Sequence, residues 1–278
     1  MRHTIQKLTY LIVTLLGIAS VIALPASALT TGATTGTTTG TSSTTASTTA
    51  ASKVAAAEAA AQQARLQRII SQGNLEIERR IVTLNTLSSK INSATKLTSS
   101  DAATLKNTVS GDLTTLNTLK TQLDSDTTVT AAITDAESII TNYRVYVLVV
   151  PQVDLVKAAD DQQVAEGKLS SLATKLQSRI DEEQQKGVSV TTMESALTDL
   201  NSKDAAAQTI SSNIETTVIS LVPSDYNTNH SVLSGDRNQL VNAQTDIKTA
   251  EADAQTIITQ LMSSSSSPSS SSPTPAQP

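Results

Sequence analysis

Between Ala51 and Met262, apolar residues recur every three or four positions, interrupted by only two prolines, Pro151 and Pro223, and five glycines. That rhythm puts one apolar stripe on each of a series of helices, and each stripe must meet another helix to leave water. A sheet rich in turns needs far more Gly and Pro punctuation than this stretch holds.

The stripes can be read off directly. The first long segment carries Leu66, Ile69, Ile70, Ile77, Ile81, Leu84, Leu87 and Ile91. The next carries Leu105, Val109, Leu113, Leu116, Leu119 and Leu123, and a third carries Val129, Ile133, Ala136, Ile140, Tyr143, Val147 and Val150. After Pro151 come Leu169, Leu172, Leu176 and Ile180, then Met193, Leu197, Leu200, Ala207, Ile210, Ile214, Val218 and Leu221. The last face is a heptad series of Leu233, Leu240, Ile247, Ala254 and Leu261, joined by Ala243, Ala250 and Ile257. The pattern predicts helices at about 52–96, 101–124, 129–149, 154–186, 191–221 and 231–262. The expected fold class is therefore all-α: an elongated antiparallel helical bundle of about six helices with coiled-coil-like packing and disordered N- and C-terminal arms.

Local signals agree with these boundaries. Thr98-Ser99-Ser100-Asp101 and Thr191-Thr192-Met193-Glu194 both match the capping box, in which a hydroxyl accepts a backbone N–H and the acid reaches back. Asp124-Ser125-Asp126 and Lys186-Gly187 read as breaks. Val145 to Val150 is apolar on every side, which suits the centre of a bundle, and Pro151 is expected to let the chain fold back. The run Leu148-Val149-Val150-Pro151 is similar to Ser220-Leu221-Val222-Pro223, each ending one helix and preceding another long one, as a duplicated three-helix unit would have it.

The ends have a different composition. Arg2 and Lys7 precede the apolar run Leu8 to Leu24, and Ala26-Ser27-Ala28 follows Pro25. This predicts a signal peptide over 1–28, cleaved after Ala28, with an uncleaved membrane anchor as the alternative. Residues 29–50 hold twelve threonines and no charge, which predicts a disordered linker. The helical bundle domain is assigned to 51–262 and a Ser/Pro-rich disordered tail to 263–278.

Little in the chain points to chemistry. Cysteine, phenylalanine and tryptophan are absent, there are two histidines, and the formal charge is −5. A thiolate nucleophile or thiolate metal site is thereby ruled out, and a nucleic-acid surface is disfavoured because it needs clustered cations and stacking aromatics. No Gly-rich phosphate loop, zinc helix or nucleophile elbow occurs. Asp124-Ser125-Asp126 fails as a calcium loop because Val129 stands where glycine is required. His230, in Asn229-His230-Ser231, reads as an exposed residue in a polar turn. The one aromatic cluster, Tyr143, Arg144 and Tyr146, is a candidate partner-binding spot, with Tyr143 itself on the core stripe. No catalytic, cofactor-binding or metal-binding residues are assigned, and no cofactor is expected.

The stretch Arg68-Ile-Ile-Ser-Gln-Gly-Asn-Leu-Glu-Ile-Glu-Arg-Arg80, the Leu84-x-x-Leu87-Ser-x-Lys-Ile91 segment and Tyr143-Arg-Val-Tyr-x-Leu-Val-Val-Pro151 resemble an uncharacterised family of secreted helical proteins of candidate phyla radiation bacteria. The similarity covers about residues 65–185. It implies a secreted or cell-surface setting and carries no activity.

Three functions follow as expectations. The first is an exported noncatalytic helical-bundle protein with a structural, adhesive or partner-presenting role at the cell surface or in the envelope. Its partner would be a protein or cell-envelope component, with no nucleic acid, and with membrane contact only through an uncleaved N-terminal segment. The second is an extracytoplasmic ligand-binding helical module with a pocket near Tyr143 and Tyr146. The third is an enzyme acting on envelope polymers, which requires acids such as Asp160 and Glu182 to converge in a cleft.

Overall fold

The computed structural model describes residues 43–266, and these are helical almost throughout, with no strand among them. In chain order the elements are α1 (Ser43–Ser93), α2 (Ser99–Ser125), α3 (Val129–Thr141), a π-helical turn (Val145–Val149), α4 (Val150–Gln185), α5 (Thr191–Ile219), α6 (Pro223–Thr228) and α7 (Asp236–Ser266). The all-α bundle expected from the stripes is the fold observed. By compactness the chain divides between Lys53 and Val54. Of the first unit only the helical residues 43–53 are described; the second holds all the packing discussed below. The expected signal peptide lies outside the described residues, as do 29–42 of the linker and 267–278 of the tail.

Two expected boundaries move at the arms. α1 begins at Ser43, so the last residues of the linker expected over 29–50 are helical. The alanine-rich run that follows propagates a helix well, and extending a formed helix is far easier than starting one. At the other end, α7 runs on through Ser266, past the expected start of the tail.

Pairs of side chains fix the topology. Asn74 donates to Asp124 at 2.6 Å and Lys120 pairs with Glu78 at 2.7 Å, so α1 and α2 are antiparallel. Arg80 sits over Tyr146 at 5.2 Å and Lys90 pairs with Asp154, so the π-turn and the start of α4 run parallel to α1. α5 returns antiparallel to α4: Ser170 donates to Asp204 at 2.6 Å, and Gln152 donates to the carbonyl of Val218 at 2.8 Å. α7 turns again, with Lys203 on Asp246 at 3.1 Å and Gln162 donating to the Leu240 carbonyl at 2.8 Å.

Two apolar cores follow one another along α4. The first is built from α1, α2, α3, the π-turn and the start of α4, with Ile214, Val218 and Leu240 closing it. The second is built from Leu169 to Ile180 of α4, Val190 to Ala207 around α5, and Ala243 to Ile257 of α7. The long helix of 36 residues is common to both. At 1.5 Å per residue it is about 54 Å long.

The expectation for Pro151 is corrected. The chain does not fold back there: α4 starts at Val150, with Pro151 in its first turn, where the missing N–H is no loss. The break falls earlier, at Asn142–Arg144, and the single helix expected over 129–149 is divided by it. Arg144 takes a left-handed φ of 45°. Its carbonyl accepts the N–H of Leu148 at 2.8 Å, with those of Val147 and Val149 at 3.2 and 3.4 Å. The π-turn takes up an extra residue and widens the backbone just ahead of the proline ring, which would clash in a regular helix interior. The burial pattern along this stretch also differs from the expected stripe, before the turn as well as after it. Ala132, Ile139, Val145, Leu148 and Val149 are buried, while the expected core residue Val147 is exposed. Pro223 likewise does not precede a long helix; it opens the six-residue α6.

The caps are only partly as expected. Thr98 accepts the Asp101 N–H at 3.1 Å, but its own N–H goes to Asp160 at 2.8 Å rather than to Asp101. The box expected at Thr191 does not form, because Thr191 is already helical and Val190 is the N-cap. Val190 is buried, so the entry to α5 is fixed by packing instead. Thr128 caps α3 by accepting the Ala131 N–H at 3.2 Å. Lys186-Gly187 ends α4 in a Schellman motif: Val188 N–H reaches the Glu183 carbonyl at 3.1 Å and Gly187 N–H the Gln184 carbonyl at 2.9 Å.

Candidate functional site

The aromatic cluster is dispersed by the turn that contains it. Tyr143 is buried in the first core. Arg144 points to α6: its Nε donates to Asn227 at 2.5 Å and its guanidinium lies 5.6 Å from the Tyr226 ring. Tyr146 faces α1, where the buried Arg80 covers its ring and also holds Glu76 at 2.7 Å. Three neighbouring residues thus serve three different contacts and do not form one patch. Tyr146 does line an open, shallow groove on α1 with Leu75, Glu78, Arg79, Val82 and Thr83. Leu75 and Val82 are more than half exposed there. Tyr143 takes no part in this groove.

The pair Asp160 and Glu182 is not brought together. Twenty-two residues separate them on one continuous helix, about 33 Å. Asp160 is buried, whereas Glu182 is exposed and paired with Arg179 at 2.7 Å. His230 is exposed in its turn and stacks at a tilt on Tyr226.

What the sequence reading missed lies between the two cores. Buried polar side chains replace apolar ones at consecutive levels of α4 and α5. Asp160 and Glu166 on α4 are each 1% exposed, and Asp204 and Ser211 on α5 are 4% and 0% exposed. Ser211 donates to Glu166 at 2.8 Å. Asp204 accepts from Ser170 at 2.6 Å and from Gln208 at 2.9 Å. Burial raises the Glu166 carboxyl above its ordinary value, partly offset by the Ser211 hydroxyl, with nearby Asp204 raising it further.

The densest part of this layer is a carboxylate trio. Asp101 from the first turn of α2, Asp160 from α4 and Glu215 from α5 each bring a carboxylate oxygen within 4.8 Å of the other two. Asp160 receives the Thr98 N–H on one oxygen, while its other oxygen is buried with no hydrogen-bond partner. Asp101 accepts the Thr98 hydroxyl at 2.7 Å, and Glu215 accepts from Gln163. Burial, opposed by the Thr98 N–H and reinforced by the Asp101 and Glu215 charges and a side-chain hydrogen bond with Asp101, pushes Asp160 up to about 6. Glu215 is raised by burial and by Asp101, against the Gln163 hydrogen bond. Lys157 and Lys96 pair with a different acid, Asp161, at 2.6 and 3.9 Å.

A signal for this layer was present in the stripes. Asp101 stands four residues before Leu105, and Asp204 and Ser211 occupy the steps between Leu200, Ala207 and Ile214. All three are buried like their apolar neighbours on the stripes.

The chain matches no protein-family model, no curated protein and no solved structure.

Proposed function

We propose that this chain is an exported noncatalytic helical-bundle protein with a structural, adhesive or partner-presenting role at the cell surface or in the envelope, akin to the secreted family it resembles. The observation that carries this reading is the approach to the bundle. Residues 54–65 of α1 are exposed on every side, and seven of these twelve are alanine. Alanine sustains a helix without tertiary support, so the segment acts as a spacer ahead of Leu66, the first core residue. The exposed Leu75 and Val82 beside Tyr146 offer a place for a protein or envelope partner.

Fractionation of the source cells, combined with intact N-terminal mass, tests the export part: a mature chain starting at Leu29 in the surface or medium fraction is expected. A chain retained whole in the cytoplasm would end the proposal. A surface pull-down comparing wild type with Leu75→Ser/Val82→Ser tests the presenting role, and loss of the captured partner is expected.

A further inference from the structure

We propose that Asp101, Asp160 and Glu215 form a binding site for a hard divalent cation, of the calcium or magnesium class, at the junction of the two cores. Three carboxylates from three helices place oxygen donors within 4.8 Å of one another, a spacing at which one ion can engage them all. The donor set is oxygen alone, which suits calcium, magnesium or manganese and not softer metals.

The trio is more than a group of surface acids. Asp160 is 1% exposed and Asp101 5% exposed. One Asp160 oxygen is buried and has no hydrogen-bond partner, while the other accepts the Thr98 N–H. Among the described residues, no salt bridge reaches any of the three. The surroundings supply positioning rather than neutralisation: the Thr98 backbone and hydroxyl on Asp160 and Asp101, and Gln163 on Glu215. Several negative charges held so close in a buried place require either protons or a cation. Glu215 is half-buried, which leaves a side open for water to complete a coordination shell.

The geometry also says what the ion does. It ties the N-terminus of α2, a first-core helix, to α4 and α5, which continue into the second core. Binding to the folded chain alone raises its stability by mass action.

The test uses the full chain stripped with chelator at pH 7.5, titrated separately with calcium, magnesium and manganese chlorides. Melting is followed by circular dichroism and binding by calorimetry. At a hundredfold excess over Kd, at least one cation is expected to raise the Tm by about 5 °C, with one site per chain. Asp160→Asn keeps the acceptor for Thr98 and removes one charge. It is expected to abolish the cation response while melting no lower than the stripped wild type. Glu215→Gln, on the more open side, is the second variant and decides the matter if Asp160→Asn fails to fold. Equal melting in chelator and in all three cations overturns the proposal, as does a response that survives in both variants. If acidification alone stabilises the chain and no cation does, the trio shares protons and the proposal is overturned.

Discussion

At the scale of the residue, the abundance of threonine has a simple explanation. Thr86, Thr104, Thr114, Thr118 and many others are exposed, and each of these four hydroxyls donates to the carbonyl four residues earlier. Threonine has modest helix propensity, but such back-bonding lets it sit on a solvated helix face. Thr114→Ala/Thr118→Ala is therefore expected to raise stability by about 0.5–1 kcal/mol in urea denaturation, because alanine is the better helix former. Partly buried acids act in the opposite sense. Burial pushes Asp112 up to about 6, and one of its oxygens has no hydrogen-bond partner. Its folded value lies above its unfolded value, so the stabilisation is complete below about pH 4 and is lost as pH rises through about 6. The loss is on the order of 2 kcal/mol. Asp112→Asn should flatten this fall in urea midpoints measured from pH 4 to 7; an unchanged profile would show that Asp112 titrates normally. The aliphatic stripe residues were legible in the sequence because period alone identifies them. The polar ones were only partly so: Asp101, Asp204 and Ser211 keep step with the stripes, but an acid there looks solvated until its neighbours from other helices are in place. Asp160 is the clearest case, because its surroundings come from α2 and α5.

At the scale of the element, helix existence and order were legible, and the errors fell where a backbone irregularity intervened. Nothing in Asn142-Tyr143-Arg144 announces a left-handed residue, so the stripe through Val147 was carried straight across a π-turn. The glycines of α1, α2 and α4 make a contrast that tests packing directly. A Cβ on Gly73 would stand 2.4 Å from Leu123 Cδ2 and 3.5 Å from Ile139 Cδ1, both in the first core. Gly111 and Gly167 have nothing within 4 Å of that position. Gly111→Ala and Gly167→Ala should each stabilise by about 0.5–1 kcal/mol through helix propensity. Gly73→Ala gains the same propensity but overpacks a filled core, which costs about 1–3 kcal/mol. It should be net destabilising in the same denaturation assay. Gly187, with φ +82°, closes the Schellman motif of α4, so Gly187→Ala should cost about 1 kcal/mol despite open space around it.

At the scale of the whole molecule, the two cores share one helix and should share one transition. Leu84 in the first core and Leu200 in the second are both fully buried. Leu84→Ala and Leu200→Ala are each expected to cost about 2–5 kcal/mol. Because α4 and α5 run through both, far-UV dichroism and hydrogen exchange at the distant core should report the same unfolding free energy in either variant. Exchange that slackens only in the mutated core would show that the cores unfold separately. The sharing of α4 and α5 has a consequence for how such a chain can change its length. Each inserted residue rotates everything beyond it by about 100° about the helix axis. One extra residue in α4 between Ala159 and Leu169 would aim the whole second stripe away from α5 and α7 and pull Glu166 off Ser211. Seven residues added together to α4, α5 and α7 would leave the faces nearly in phase. The junction thus behaves like a keyed coupling, tolerant of growth by matched heptads and intolerant of any smaller step.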